Sequence, residues 1–271
     1  MSSKDIRVLL FEDDPYSRDL MTMLLTRDWR TRVVGEAGAG DELHQHFSLA
    51  GMVDVVVLDT EITQNPRLPQ EVRSYAARLP TPPVILYTGT QPNEDLLRDG
   101  LDDHFGGYLL KTEILYSLAT AVSLAAGGHP VVTPRILHFA QEREIPLPKG
   151  TLILDGTQPV QRFSRRESEI IRLGILFNLA QRDMADELVV SREWTSEIMS
   201  KIYEKLGIRD IVANEVSLDE YFEDPAIKER FQSILNRASK GSVAERVRKA
   251  PWISTLAFHL LTRPGVTVPE D

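Results

Sequence analysis

The chain has 271 residues, of which 42% are hydrophobic and 26% charged, with no cysteine and a formal net charge of −9. That length points to about two domains. The absence of cysteine excludes a disulfide framework and a thiolate metal site, and no apolar run is long enough to span a membrane. The opening Met1-Ser2-Ser3-Lys4-Asp5 lacks signal-peptide architecture, so a cytoplasmic location is expected. The charge is uneven: residues 1–128 carry 11 Lys/Arg against 19 Asp/Glu, which leaves the remainder near neutral.

Ile6-Arg7-Val8-Leu9-Leu10-Phe11 reads as a short apolar strand, followed by Glu12-Asp13-Asp14-Pro15. Consecutive carboxylates repel one another, and a cation is one reason to gather them. A solvated turn ahead of a helix N-terminus is the other. An amphipathic helix over about 15–28 follows, with Leu20, Met23, Leu24 and Leu25 inward, then a strand over 31–37 and a short helix over about 40–50. Val53-Asp54-Val55-Val56-Val57-Leu58-Asp59-Thr60 is apolar on both alternating faces, the pattern of a strand buried inside a parallel sheet. Asp59 is then a strand-end carboxylate at a ligand crevice or, equally, a helix N-cap.

The Pro-rich 62–83 segment reads as a loop with a helix near Gln70–Leu79. Pro83–Gly89 is a fourth strand ending in Thr88-Gly89, and Asn93–Gly100 a short helix. Gly107–Lys111 is a fifth strand ending in a lysine, and Ile114–Ala126 a helix stopped by Gly127-Gly128. Strands alternating with helices predict an α/β doubly wound five-stranded parallel sheet. Its strand ends bring together Glu12, Asp13, Asp59, Thr88 and Lys111. Such a set suits phosphoryl transfer to a carboxylate: a divalent ion on Asp13 and Asp59, Lys111 and Thr88 on phosphoryl oxygens, and Asp59 as nucleophile.

In this order and spacing, Glu12-Asp13, Asp59, Thr88-Gly89 and Tyr108-x-x-Lys111 closely resemble the receiver domain of two-component response regulators, over about residues 5–128. The resemblance implies a flavodoxin-like fold and a sensor histidine kinase as phosphoryl donor. It implies Mg²⁺ held by Asp13, Asp59 and the main-chain carbonyl of Glu61, with Glu12 acting through water. Thr88 and Tyr108 are then switch residues, coupling the phosphate to the face around the fifth strand through which receivers commonly form homodimers. Glu61 and Thr112 depart from the pattern, and no Pro-Gly-x-x-Gly loop follows Asp59. Asp59-Thr60-Glu61-Ile62-Thr63 also approaches the signature of haloacid-dehalogenase phosphatases. There, however, the second acid is Asp and an acidic pair follows the lysine, so a catalytic turnover of its own is not expected.

Residues 129–162, with five prolines, read as a linker in which Pro134–Gln141 forms a short helix and Thr151–Leu154 a small strand or extended piece. Ser164-Arg165-Arg166-Glu167 is a capping box, and Ile170, Ile171, Leu173 and Ile175 supply an apolar face. A second helix spans about Gln181–Leu188, and a third runs from the cap Ser191 to Gly207. Phe163-Ser164-x-Arg166-Glu167, Met184-Ala185-x-x-Leu188-x-Val190-Ser191 and Ile202-Tyr203-x-Lys205-Leu206-Gly207 resemble the LuxR-type (NarL-type) helix-turn-helix domain, over about 163–209. That resemblance implies transcriptional control at duplex DNA.

Several positions depart from it. Ser196 and Ile198 replace the usual lysine and histidine, and one residue is inserted near Phe177-Asn178. Residues 163–209 carry eight basic and eight acidic side chains. Candidate DNA contacts are Arg192, Ser196, Lys201, Lys205 and Arg209, or these are ordinary solvated surface. The alternative output is a protein-interaction module.

Residues 210–271 read as a helical extension. Ser217-x-x-Glu220 and Ser242-x-x-Glu245 repeat the capping-box pattern, Asp224-Pro225 marks a helix start, and Pro251–Leu261 is apolar. Arg237, Lys240, Arg246, Arg248 and Lys249 make a basic cluster. The apolar stripes would close the core, dimerise or dock a partner, and His259 is expected to pack within an apolar helix.

Overall fold

A computed structural model describes residues 5–38, 47, 53–63, 65–102, 104–213, 217–222, 225–239 and 250–269. Its first part alternates β1 (Ile6–Phe11), α1 (Pro15–Arg27), β2 (Thr31–Ala37), β3 (Val55–Asp59), α2 (Leu68–Ala76), β4 (Val84–Gly89), α3 (Glu94–Gly100) and β5 (Phe105–Leu110). The short α4 (Lys111–Ile114) and then α5 (Leu118–Ala126) follow. Apart from Phe47, the helix expected over about 40–50 lies outside the described residues.

The first five strands run parallel in the order β2-β1-β3-β4-β5, the expected doubly wound core. Alternate residues of each strand enter opposite clusters. Leu9, Phe11, Val56, Leu58 and Tyr87 pack on one face; Val8, Leu10, Val55, Val57 and Leu86 pack on the other. Burial on both faces explains why β3 is apolar without alternation. In α1, Met21, Leu24 and Leu25 are buried, whereas Leu20 is exposed.

Three features differ from the sequence reading. The single helix expected from Ile114 is broken, because Leu115 takes a left-handed turn (φ 43°) between α4 and α5. Helical backbone starts on Lys111 itself, with Thr112 in the same single turn. The proline-rich stretch holds the expected short helix, α6 (Pro134–Glu142), and the expected small strand, β7 (Leu152–Asp155), but it is not a free linker: β6 (Val131–Val132) and β7 extend the sheet beyond β5. Gly107 permits this approach. Its φ is +139°, and a Cβ there would lie 1.9 Å from the Val131 carbonyl oxygen.

A last strand, β8 (Gly265–Thr267), returns from the far end of the chain and pairs antiparallel with β7, making eight strands. The chain accordingly divides into one compact unit of residues 1–158 with 264–271 and a second of residues 159–263. The break falls at 158, well past the residue 128 expected from composition, because proline punctuates edge strands as readily as linkers.

After α7 (Gln158–Gln161), the second unit is helical. In α8 (Arg165–Ile170) the capping box forms as expected: Ser164 Oγ accepts from Glu167 N–H at 3.3 Å, and Glu167 accepts from Ser164 N–H at 2.8 Å. The helix continues as a π-helix over Ile171–Leu176.

Next come α9 (Gln181–Leu188), α10 (Arg192–Lys205), capped by Ser191 Oγ on Trp194 N–H, and α11 (Ile208–Ala213). The extension adds a 3₁₀ turn (Leu218–Glu220), α12 (Pro225–Ser239) and α13 (Ala250–Leu261). Its apolar residues close the core: Phe231, Leu256, Phe258 and Leu261 are buried, and His259 lies edge-on to Phe222, Phe231 and Phe258. Ser242-x-x-Glu245, Asp224, Lys240, Arg246, Arg248 and Lys249 lie outside the described residues, and of Arg237 only its place in α12 is described.

Between α9 and α10, Val189 adopts left-handed backbone (φ 54°, ψ 48°) and is 90% exposed. A β-branched residue there carries about 1–2 kcal/mol of strain, with almost no burial to offset it. Val189→Gly should therefore raise unfolding stability by about 1 kcal/mol in urea titration, although glycine usually destabilises. A loss of stability would show that Val189 makes compensating contacts.

Candidate functional site

Parallel register aligns the strand ends. Phe11 lies opposite Leu58, Asp59 opposite Thr88, and Gly89 opposite Leu110. The residues at or just beyond these ends therefore meet in one crevice, where the helices that follow the paired strands β1 and β3 go to opposite faces of the sheet. Glu12, Asp13 and Asp59 each present a carboxylate oxygen within 4.8 Å of the others. Lys111 Nζ lies 2.8 Å from Glu12 Oε2 and 3.3 Å from Asp59 Oδ1.

The acidic run divides by role. Asp14 is exposed and caps α1, accepting from Ser17 N–H at 2.7 Å, whereas Glu12 and Asp13 turn to the crevice. Asp59 is followed by a turn, and the next helix, α2, begins only at Leu68, so its carboxylate belongs to the pocket and not to a helix start.

Glu12, Asp59 and Thr88 are buried. Burial pushes the Glu12 carboxyl up to about 7; Lys111 opposes this and the Asp59 charge adds to it. Burial also raises Asp59 above the ordinary carboxylate range, again against Lys111. For Lys111 burial works downward, but the two carboxylates prevail and hold it above its usual value. Glu12 Oε2 and Asp59 Oδ1 are close to the ammonium without a well-directed hydrogen bond, and Thr88 Oγ1 has no hydrogen-bond partner. The contact with Lys111 is therefore chiefly ionic.

One lysine against three carboxylates leaves a net negative, oxygen-rich pocket. Such a donor set fits a hard divalent cation, with Asp13, Asp59 and Glu12 as the groups able to hold it. The expected carbonyl ligand Glu61 is fixed nearby by its side chain: Oε1 accepts from Thr90 N–H at 3.0 Å and from Thr90 Oγ1 at 2.6 Å. Asp13 is held by Thr63, whose amide and hydroxyl donate to Oδ2 at 3.2 and 3.4 Å. The sequence reading missed both clasps; the polar side chains soon after Asp59 were their only signal. Tyr108 is fully buried, donating to the Gln91 carbonyl at 2.7 Å, with its hydroxyl 3.3 Å from Thr60 Oγ1.

In the second unit, α10 leaves Arg192, Ser196 and Lys201 exposed, and Arg209 is exposed beside Glu204 at 3.8 Å. Lys205 serves the fold instead. Its Nζ lies 2.7 Å from Glu167 Oε1 and 5.6 Å from the Phe163 ring centre, which fastens α10 to the capping box of α8. At 100° per residue, Glu193, Glu197 and Glu204 share the stripe opposite buried Thr195, Met199 and Ile202. Arg192 and Lys201 flank that stripe on either side.

An α/β sheet with this strand-end pocket, followed by a helical unit, agrees with the resemblance to NarL-type response regulators read from the sequence, with a helical extension added. No family model matches the chain. It is similar to the probable transcriptional regulatory protein NarL of Mycobacterium tuberculosis, at 26% identity over 212 residues, covering 77% of this chain and 91% of that protein. It is also similar to the nitrate/nitrite response regulator protein NarP of Escherichia coli, at 24% identity over 209 residues, covering 76% and 91%. Among solved structures, RcsB dimers bound to two parallel DNAs overlap 75% of this chain and 93% of that one, at 18% identity and a TM-score of 0.45.

Raised carboxyl pKa values have a definite sign. Between about pH 4.5 and 7 the folded pocket keeps protons that the unfolded chain releases, so stability falls as pH rises through that window. Metal-free protein should therefore melt lower at pH 7.5 than at pH 5.5, and Mg²⁺ should recover the loss at pH 7.5. A melting temperature that rises with pH in thermal scans would contradict the pocket electrostatics.

Proposed function

We propose that this protein is switched by phosphorylation of Asp59 and controls transcription through its helix-turn-helix unit. The observation that carries the first half is the buried Asp59 beside Thr88, with Lys111 3.3 Å away and two further carboxylates at hand. An Asp59 carboxylate oxygen attacks the phosphorus of a phosphohistidine on a sensor kinase. The new O–P bond forms as the P–N bond breaks, and its electron pair leaves with the imidazole. Lys111 then pairs with one phosphoryl oxygen, and the unengaged Thr88 hydroxyl donates to another. Asp13, Asp59 and the Glu61 main-chain carbonyl, with Glu12 nearby, would hold Mg²⁺, which would further neutralise the phosphoryl charge. Thr88 and Tyr108 are the switch residues of this reading.

For the output, the relatives named above favour duplex DNA, contacted by Arg192, Ser196, Lys201 and Arg209. One observation favours the second reading, an interaction module: the outward stripe of α10 is Glu193, Glu197 and Glu204, which phosphates repel. Self-association, where it occurs, uses a surface other than the β5 edge, since β6 fills that edge.

Asp59→Asn should abolish labelling by acetyl phosphate with Mg²⁺; labelling that persists moves the acceptor elsewhere. For the output, beryllofluoride-treated protein should retain genomic fragments that share a sequence motif. Arg192→Ala with Lys201→Ala should lower the salt slope of binding by about 2, at about 0.9 per phosphate contact. No retention at low salt would make the second unit an interaction module.

A further inference from the structure

The second unit is spliced into the sheet of the first. Its chain leaves from β7 and returns as β8, and these strands pair, Asp155 with Gly265 and Leu154 with Val266. Both covalent crossings, at 158 and at 264, therefore stand at one corner of the sheet.

That corner is fastened to the acid pocket by a short backbone path. Lys111, which faces Glu12 and Asp59, is the first residue of α4. The other end of α4 bears on Gly156, two residues before the crossing. Gly156 N–H donates to the Glu113 carbonyl at 2.9 Å, and a Cβ on Gly156 would lie 2.1 Å from the Ile114 carbonyl oxygen. Backbone meets backbone there, with no side chain to absorb a shift. Around this contact, Glu113 accepts from Arg135 N–H at 3.1 Å, and Thr133 Oγ1 accepts from Leu110 N–H at 3.1 Å. The added segment thus grips both sides of Lys111.

We propose that α4, Gly156 and the β7–β8 pair form the relay that carries the state of the Asp59 pocket to both ends of the second unit. The inference rests on the phospho-acceptor reading of Asp59. A phosphoryl group there adds negative charge at Lys111 and reorganises its ion pairs. Because α4 is a single turn ended by the Leu115 reversal, a displacement of Lys111 is passed to Glu113 and Ile114, and from them to Gly156. Gly156 keeps the coupling tight because any side chain would push α4 and β7 apart.

The test is hydrogen–deuterium exchange of residues 159–263 in the full chain, with and without beryllofluoride and Mg²⁺, alongside acetyl phosphate labelling. In the unaltered protein, activation should change exchange rates there by about 5- to 150-fold, the range typical of coupling between sites. Gly156→Ala should still label at Asp59 but lose that change. A second variant, Gly265→Pro with Val266→Pro, removes two successive N–H groups, one of which must face β7. It should keep labelling and lose the response in the same way, without touching the α4 contact. Either variant responding as the unaltered chain does would overturn the relay, as would labelling of the unaltered chain with no change in exchange. Failure of the unaltered chain to label would instead overturn the Asp59 reading, and the relay with it.

Discussion

The ion pairing of Lys111 with Glu12 and Asp59 is the interaction on which the first unit turns. Three carboxylates at one sheet crevice repel one another, and burial makes each charge harder to keep. A single ammonium offsets part of this, so the pocket is held together while remaining short of positive charge. Removing one partner of such a buried group typically costs about 3–5 kcal/mol. The same shortage makes the pocket receptive to a divalent cation.

Lys111 also binds the pocket to the architecture beyond it. In a five-stranded sheet its strand would be an edge. Here β6 lies alongside β5, and β7 and β8 continue outward, so the strand that leads into the lysine is covered by the chain's own later segments. Edge strands invite pairing with other chains, and covering one with short strands removes that template. The outer edge that remains is the three-residue β8, with Val266 exposed at 47%.

In the second unit, Gly174 keeps the π-helix over Ile171–Leu176 closely packed, since a Cβ there would lie 2.7 Å from Met184 Sδ. The capping box is reinforced by Lys205, which cannot serve the fold and a phosphate equally well. The added helices α12 and α13 bring Phe231, Leu256 and Phe258 into the core, and α13 leads the chain back to the sheet.

The sequence by itself determined the first five strands, most of the helices, and the set Glu12, Asp13, Asp59, Thr88 and Lys111. These depend on local periodicity and on residues placed at strand ends, which any parallel sheet brings together. The helix caps at Asp14, Ser164 and Ser191 were equally local. Tertiary structure alone decided that Asp14 caps while Glu12 and Asp13 face the pocket, and that Lys205 is engaged with Glu167. It alone turned the proline-rich stretch into sheet and brought residues 265–267 back beside residues 153–155. Two- and three-residue strands carry too little pattern to be recognised, because what makes them strands is the neighbour they pair with. Periodicity records what a segment prefers, and only the fold supplies its partner.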